Sequence, residues 1–180
     1  MAVEFQASRT RENLMRAFAG ESQARNRYTI AADAAKKQGL YSIQQVFLFT
    51  ADQERAHAER YYGLLKNLSG TTIEISGGYP VDHFDDVVKL LKKAEHNEME
   101  EADDVYQAFG NVAKEEGFLE AASAFFQIAE VEAVHGRRFR KLAELLEQNK
   151  YFECEGNGQW MCMNCGHIQS GKLVPPRAHV

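Results

Sequence analysis

The chain has 180 residues and a formal net charge of −5, with 26 acidic against 21 basic side chains. That length suits one sizeable domain plus a small appendage, and a body of roughly 150 residues buries about 68–70% of its unfolded surface, enough for a true core. The acidic balance argues against nucleic acid or an anionic membrane as the main partner. No apolar run approaches the roughly 20 residues of a membrane span, and the N-terminus lacks the apolar stretch of a signal peptide, so a soluble cytoplasmic protein is expected.

Helical patterning runs from about Arg9 to Asn149, interrupted by one proline, Pro80. A first helix is predicted over Thr10–Lys37, with Leu14, Phe18, Glu21, Ala24, Tyr28, Ala31 and Ala35 at steps of three and four on one face. A second, over Tyr41–Leu68, carries Val46, Phe47, Thr50, Glu54, His57, Tyr61, Leu64 and Leu68. The stretch Ser69 to Pro80 contains Gly77-Gly78-Tyr79-Pro80, which ends any regular element and is long enough to cross a bundle. A third helix over His83–Glu116 carries Val87, Leu91, Ala94, Glu98, Glu101, Val105, Phe109 and Val112, with Gly117 as its stop. A fourth over Leu119–Asn149 carries Phe125, Ile128, Glu132, His135, Phe139, Leu142 and Leu146. The architecture expected is all-α: a four-helix bundle with two short connections and one long crossover. After Lys150, Tyr151–Trp160 reads as strand, Gly-rich turn, strand. The domains expected are therefore a bundle over 1–149 and a small β module over 150–180.

Seven ligand-type residues interrupt the apolar stripes: Glu21, Glu54, His57, Glu98, Glu101, Glu132 and His135. Solvated charge belongs on the opposite face of an amphipathic helix. Two sets read Glu-x-x-His, Glu54–His57 and Glu132–His135, and residues three apart on a helix share a face. There is a quasi-repeat as well: Glu21 precedes Glu54 by 33 residues and Glu98 precedes Glu132 by 34. Two similar hairpins would then face each other, each bringing one Glu and one Glu-x-x-His.

A single Glu-x-x-His is commonplace on a solvated face; two copies inside apolar stripes are not. Burying one unpaired carboxylate costs several kcal/mol, and five clustered together would repel one another and be driven to protonate. No matching set of inward Lys or Arg is visible, whereas two divalent cations would supply four positive charges. Carboxylate oxygens with one imidazole per ion suit iron or manganese; structural zinc takes four Cys and His ligands. Bridging carboxylates can hold two ions about 3.5–4 Å apart.

The bundle, Glu21, the two Glu-x-x-His motifs and the C-terminal Cys162-x-x-Cys165-Gly166 resemble the rubrerythrin family. Glu98–Tyr106, Phe109, Glu115–Phe118 and His135–Phe139 match its register without a gap. The resemblance covers nearly the whole chain. It implies a ferritin-like di-iron bundle joined to a rubredoxin-like iron–thiolate module. It implies that Glu54 and Glu132 bridge the two irons, that Glu21 and Glu98 are terminal ligands, and that His135 binds the second iron. Glu101 and His57 would exchange on the first iron as its oxidation state changes. Glu95, three residues before Glu98, is a rival for the third-helix assignment. Tyr28 and Tyr106 read either as core filling or, by the resemblance, as hydrogen-bond donors to ligand carboxylates. His83, His96, His167 and His179 fit no inward stripe and are expected at the surface.

Three cysteines, Cys154, Cys162 and Cys165, cluster near the C-terminus, and an odd count in a reducing compartment favours metal ligation over disulfides. Cys162 and Cys165 resemble one knuckle of a rubredoxin site, which needs four thiolates for its iron (or zinc). The second knuckle is not in the sequence, which is expected to be a truncated form; Cys154 does not match the family position and reads as a free thiol. The function expected is a di-iron peroxidase that reduces hydrogen peroxide to water in oxidative-stress defence. Its electrons would pass through the rubredoxin-like module from rubredoxin or an NADH-dependent reductase. A homodimer or higher homo-oligomer is expected, again from the resemblance. The alternatives are a ferroxidase or iron-storage bundle of the ferritin type, a zinc-ribbon interaction module on a structural bundle, and a manganese catalase.

Overall fold

The computed structural model describes residues 3–154, 156, 158–163 and 165–172. Helix α1 spans Arg9–Lys37 and α2 spans Tyr41–Leu64, followed by a 3₁₀ turn at Lys66–Leu68. The third long helix is in three parts: α3 (Val87–Glu100), a π segment (Glu101–Val105) and α4 (Tyr106–Glu115). Helix α5 spans Leu119–Glu147. α1 packs mainly on α2, and the α3–π–α4 helix packs on α5.

Both tight connections are made the same way. Gly39 (φ 74°) and Gly117 (φ 88°) take the left-handed conformation that closes a helix C-terminus. Beyond each, a backbone bond of five-residue span caps the last turn: Leu40 N–H to the Ala35 carbonyl at 3.0 Å, and Phe118 N–H to the Ala113 carbonyl at 2.8 Å. Beside the second connection, Glu116 accepts from the amides of Arg9 (3.1 Å) and Thr10 (2.9 Å) and from the Thr10 hydroxyl (2.6 Å). It thereby satisfies donors that the start of α1 leaves open.

Two helix boundaries differ from the sequence reading by more than two residues. The third helix begins at Val87, not His83, because Asp86 caps it, its carboxylate accepting from the amides of Val88 (2.9 Å) and Lys89 (3.2 Å). The second ends at Leu64, and its last turn tightens to 3₁₀. The π segment has no counterpart in the sequence reading.

The core falls into two apolar clusters. One gathers Tyr28, Phe47, Leu91 and Phe139; the other gathers Leu14, Tyr61, Tyr106 and Phe125. Each of the four long helices, with α3–π–α4 taken as one, contributes to both clusters, and on each the inward Glu or His lies between its two contributions. Helix packing is close here: a Cβ on Gly110 would come within 2.5 Å of the Phe126 ring.

Beyond the bundle, β1 (Gln159–Met161) pairs antiparallel with β2 (Ile168–Ser170), Trp160 opposite Gln169. The Trp160 indole N–H donates to the Gly171 carbonyl at 3.0 Å. Among the described residues of the strand expected from Tyr151, Tyr151 and Phe152 lie in a turn, Glu153 forms an isolated bridge, and Cys154 N–H donates to the Lys172 carbonyl at 3.0 Å. Glu155 and Asn157 of that reading lie outside the described residues, as do Asn164 and the tail from Leu173 to Val180 with His179.

Candidate metal centre

Between the two apolar clusters lies a polar layer. Glu21 on α1, Glu54 on α2, Glu132 and His135 on α5 are wholly buried, and Glu98 at the end of α3 nearly so. Two groups of donors, each spanning less than 4.8 Å, result: Glu21, Glu54, His57 and Glu132, and Glu54, Glu98, Glu132 and His135. Glu54 and Glu132 belong to both.

The distances reveal an approximate two-fold arrangement. His57 Nδ1 lies 2.8 Å from Glu132 Oε1 and 3.5 Å from Glu54 Oε2. His135 Nδ1 lies 2.8 Å from Glu132 Oε2 and 3.1 Å from Glu54 Oε1. Each shared carboxylate thus turns one oxygen to each imidazole. Glu21 Oε2 completes the first group, 3.8 Å from His57 Nδ1, and Glu98 Oε2 the second, 3.4 Å from His135 Nδ1. The imidazoles are nearly parallel, 5.8 Å apart at 19°.

The outer oxygens of the unshared glutamates are held by tyrosines from the opposite hairpin. Tyr106 O–H donates to Glu21 Oε1 at 2.5 Å, and Tyr28 O–H donates to Glu98 Oε1. That leaves the inner oxygens facing the centre. Glu21 Oε2, both oxygens of Glu54, Glu98 Oε2, both oxygens of Glu132, His57 Nδ1 and His135 Nδ1 are all buried with no hydrogen-bond partner. Close as they are, their mutual contacts lack hydrogen-bond geometry. Buried polar atoms are normally paired, and eight unpaired donor atoms converging on two points fit a pair of metal ions. The donor set, mostly carboxylate oxygen with one imidazole per group, suits iron or manganese. Nε2 of His135 is unpaired as well.

Glu101 stands in neither group. It opens the π segment, where one extra residue per turn rotates the following side chains, a distortion frequent at functional sites. Gln107 Nε2 donates to the Ala102 carbonyl at 3.2 Å within this disturbed ladder. The Glu101 carboxylate is nonetheless close enough to feel Glu132, Glu54 and His57.

Without metal, protonation must balance the charge. Burial, then the charges of Glu132 and Glu54, push the carboxyls of Glu21 and Glu101 well up. Burial, then Glu54 and Glu132, do the same to Glu98. Burial would also raise Glu54, but the imidazoles of His135 and His57 outweigh it and hold Glu54 below the usual carboxylate range. Both imidazoles are raised despite burial, chiefly by Glu132, His135 up to about 11.

Glu95 is turned away: it accepts from Arg140 Nε at 2.6 Å in a surface ion pair. His83, His96 and His167 are exposed. Cys162 and Cys165 lie on the turn between β1 and β2, where Cys162 N–H donates to the His167 carbonyl (2.8 Å) and Gly166 N–H to the Cys162 carbonyl (2.9 Å). The Cys154 thiol lies against the carbonyls of Gly171 (3.3 Å) and Lys172 (3.4 Å). Among the described residues no group of three potential ligands includes a cysteine.

Sequence reading missed a polar clamp beside Tyr28. Arg27 lies 3.7 Å from Asp82 of the crossover, whose carboxylate accepts from Asn97 Nδ2 at 2.8 Å. Arg27 reads in sequence as one more surface charge, and nothing local links it to a residue 55 positions away.

These features define a class: a ferritin-like helical bundle whose middle layer is a carboxylate–histidine cluster fitted to two metal ions. The sequence model of the Rubrerythrin family matches residues 12–143. Rubrerythrin of Clostridium perfringens is 44% identical over 93% of this chain and 87% of its own length. That of Porphyromonas gingivalis is 42% identical over 97% of this chain and 86% of its own. Among solved structures, nigerythrin in a partially reduced state superposes with a TM-score of 0.69 at 29% identity, covering 95% of this chain and 79% of that one. The chain belongs to the rubrerythrin family.

Proposed function

We propose that this chain is a non-haem di-iron peroxidase that reduces hydrogen peroxide to water in oxidative-stress defence. The single observation that carries the reading is the double use of Glu54 and Glu132, each offering one oxygen to each donor group. Glu21 and His57 complete one group, and Glu98 and His135 the other. A ferrous pair held there would supply the two electrons that, with two protons, convert hydrogen peroxide to two waters.

The protein's part is positional. Tyr106 and Tyr28 fix Glu21 and Glu98 so that one oxygen of each faces inward. The apolar clusters on either side exclude water and strengthen every charge interaction in the layer. Glu101 is half-buried and outside both groups, which suits it to replace His57 when the ions carry more positive charge. Electrons would be restored by rubredoxin or an NADH-dependent reductase, through the Cys162/Cys165 module where further thiolates complete its iron site. We place the protein in the cytoplasm as a homodimer or higher homo-oligomer.

The test is anaerobic. Iron-loaded, reduced protein is mixed with hydrogen peroxide, and in parallel with dioxygen, while visible absorbance is followed. Rapid reoxidation by peroxide, slower with dioxygen and lost in Glu98→Ala, is expected. Faster reaction with dioxygen and continued iron uptake would instead indicate a ferroxidase.

A further inference from the structure

A cavity of about 240 Å³ opens beside the metal centre, between α1, the crossover and the π segment. Its wall includes Tyr106, which donates to Glu21, and Glu101, whose carboxyl feels the charges of Glu132 and Glu54, so these two side chains link the cavity to the donor groups. Hydrogen peroxide alone does not need that space: one water occupies about 30 Å³ of liquid, and a cavity of about 150 Å³ can take benzene. Pockets for drug-sized molecules begin near 300 Å³, so this one suits a small organic group.

The wall chemistry narrows the class. Ala17, Pro80, Val105 and Phe109 supply apolar surface, while Arg16 and Glu100 bring one charge of each sign to the rim, so the wall favours a neutral guest. The outer wall is Tyr79, 42% exposed, packed so near Gly77 that a Cβ there would sit 3.1 Å from its hydroxyl. Opposite, Gly20 keeps the helix side open: a Cβ there would meet Tyr79 only at 3.9 Å. The crossover is pinned on both sides of Gly77–Pro80, by Arg16 Nε donating to the Ser76 carbonyl (3.0 Å) and by the Asp82 clamp. The cavity is therefore preformed.

We propose that this cavity binds the organic group of a neutral hydroperoxide, so that the centre reduces small alkyl and aryl hydroperoxides to alcohols as well as hydrogen peroxide to water. The proposal rests on the peroxide-reducing reading above. The O–O bond breaks, two electrons come from the ferrous pair of that reading, two protons come from water, and the products are one alcohol and one water. Gly20, immediately before Glu21, sets how large the organic group can be.

Two measurements on the iron-loaded protein decide it. In the first, reduced protein is mixed anaerobically with cumene hydroperoxide or hydrogen peroxide. Reoxidation by cumene hydroperoxide within tenfold of the hydrogen peroxide rate is expected, with one cumyl alcohol formed per two electrons. Gly20→Leu should lower the ratio of the two rates at least tenfold, and Gly20→Ala should change it less than threefold. In the second, equilibrium dialysis of the oxidised protein against cumyl alcohol should show saturable binding that Gly20→Leu weakens at least tenfold. Normal reoxidation by hydrogen peroxide with cumene hydroperoxide over a hundredfold slower would overturn the proposal. So would absent alcohol binding, or a Gly20→Leu ratio equal to that of the parent protein. If neither peroxide reoxidises the protein, the reading of the centre as a peroxidase fails.

Discussion

The bundle and the C-terminal module both carry metal-ligand motifs, yet among the described residues three or more potential ligands gather only in the bundle. In the middle layer, residues from all four long helices bring eight unpaired donor atoms together, walled by apolar clusters on either side. In the module, Cys162 and Cys165 sit on one turn between two three-residue strands, half-buried and exposed respectively. A motif supplies ligand type and spacing, while the site in the bundle also depends on convergence from separate helices and on exclusion of water.

The largest effect should come from removing a shared ligand. Glu132→Ala should drop bound iron from two per chain towards none, whereas Cys162→Ser should leave the bundle iron in place. Iron analysis together with visible absorbance reads both. A Glu132→Ala protein that retains both ions would break the contrast.

Metal removal should be felt through the bundle as a whole. At a free metal concentration a hundredfold above Kd, mass action contributes about 2.7 kcal/mol, and for a chain of this size each kcal/mol is worth roughly 2–4 °C in Tm. Chelation should therefore lower Tm by about 5–10 °C; calorimetry showing no shift would argue that the donor layer is stable by itself. The same layer should release protons on loading. The raised carboxyls of Glu21, Glu98 and Glu101 and the raised imidazoles of His57 and His135 hold protons that metal must displace. Affinity should fall as pH is lowered, and uptake in weakly buffered solution should acidify it.

The smallest effect lies far from the metal, at Glu116. Partial burial would raise its carboxyl, but hydrogen bonds from the Thr10 hydroxyl and the amides of Thr10 and Arg9 outweigh this and hold it below the usual carboxylate range. A depressed carboxyl adds stability that is present above its unfolded value and lost as pH falls through its folded one. Glu116→Ala should cost about 1 kcal/mol near neutral pH, and the gap from the parent protein should shrink in acid. A constant gap in denaturant titrations across that range would contradict the cap.

Much of the fold was legible because buried helix faces must repeat every three to four residues. The inward carboxylates interrupted that repeat visibly: Glu21 between Phe18 and Ala24, Glu132 between Ile128 and Phe139. The π segment was not legible, since Glu101 to Val105 continues an ordinary helical pattern in residue type. Nor was the choice of partner for each tyrosine: Tyr28 reaches Glu98 and Tyr106 reaches Glu21 only because the hairpins face each other. The crossover was read as a break, and its role as a cavity wall depends on the Arg16 and Arg27 contacts.

By itself, then, the sequence determined the four helices, the two hairpins and the inward position of the ligand-type residues. Those follow from local periodicity and from the high cost of burying an uncompensated charge. Tertiary structure alone decided which oxygen faces which imidazole, which tyrosine holds which glutamate, that Glu101 stands outside both donor groups, and that a cavity adjoins the centre. Such relations depend on the phase and spacing between helices distant in sequence, and no local pattern encodes them.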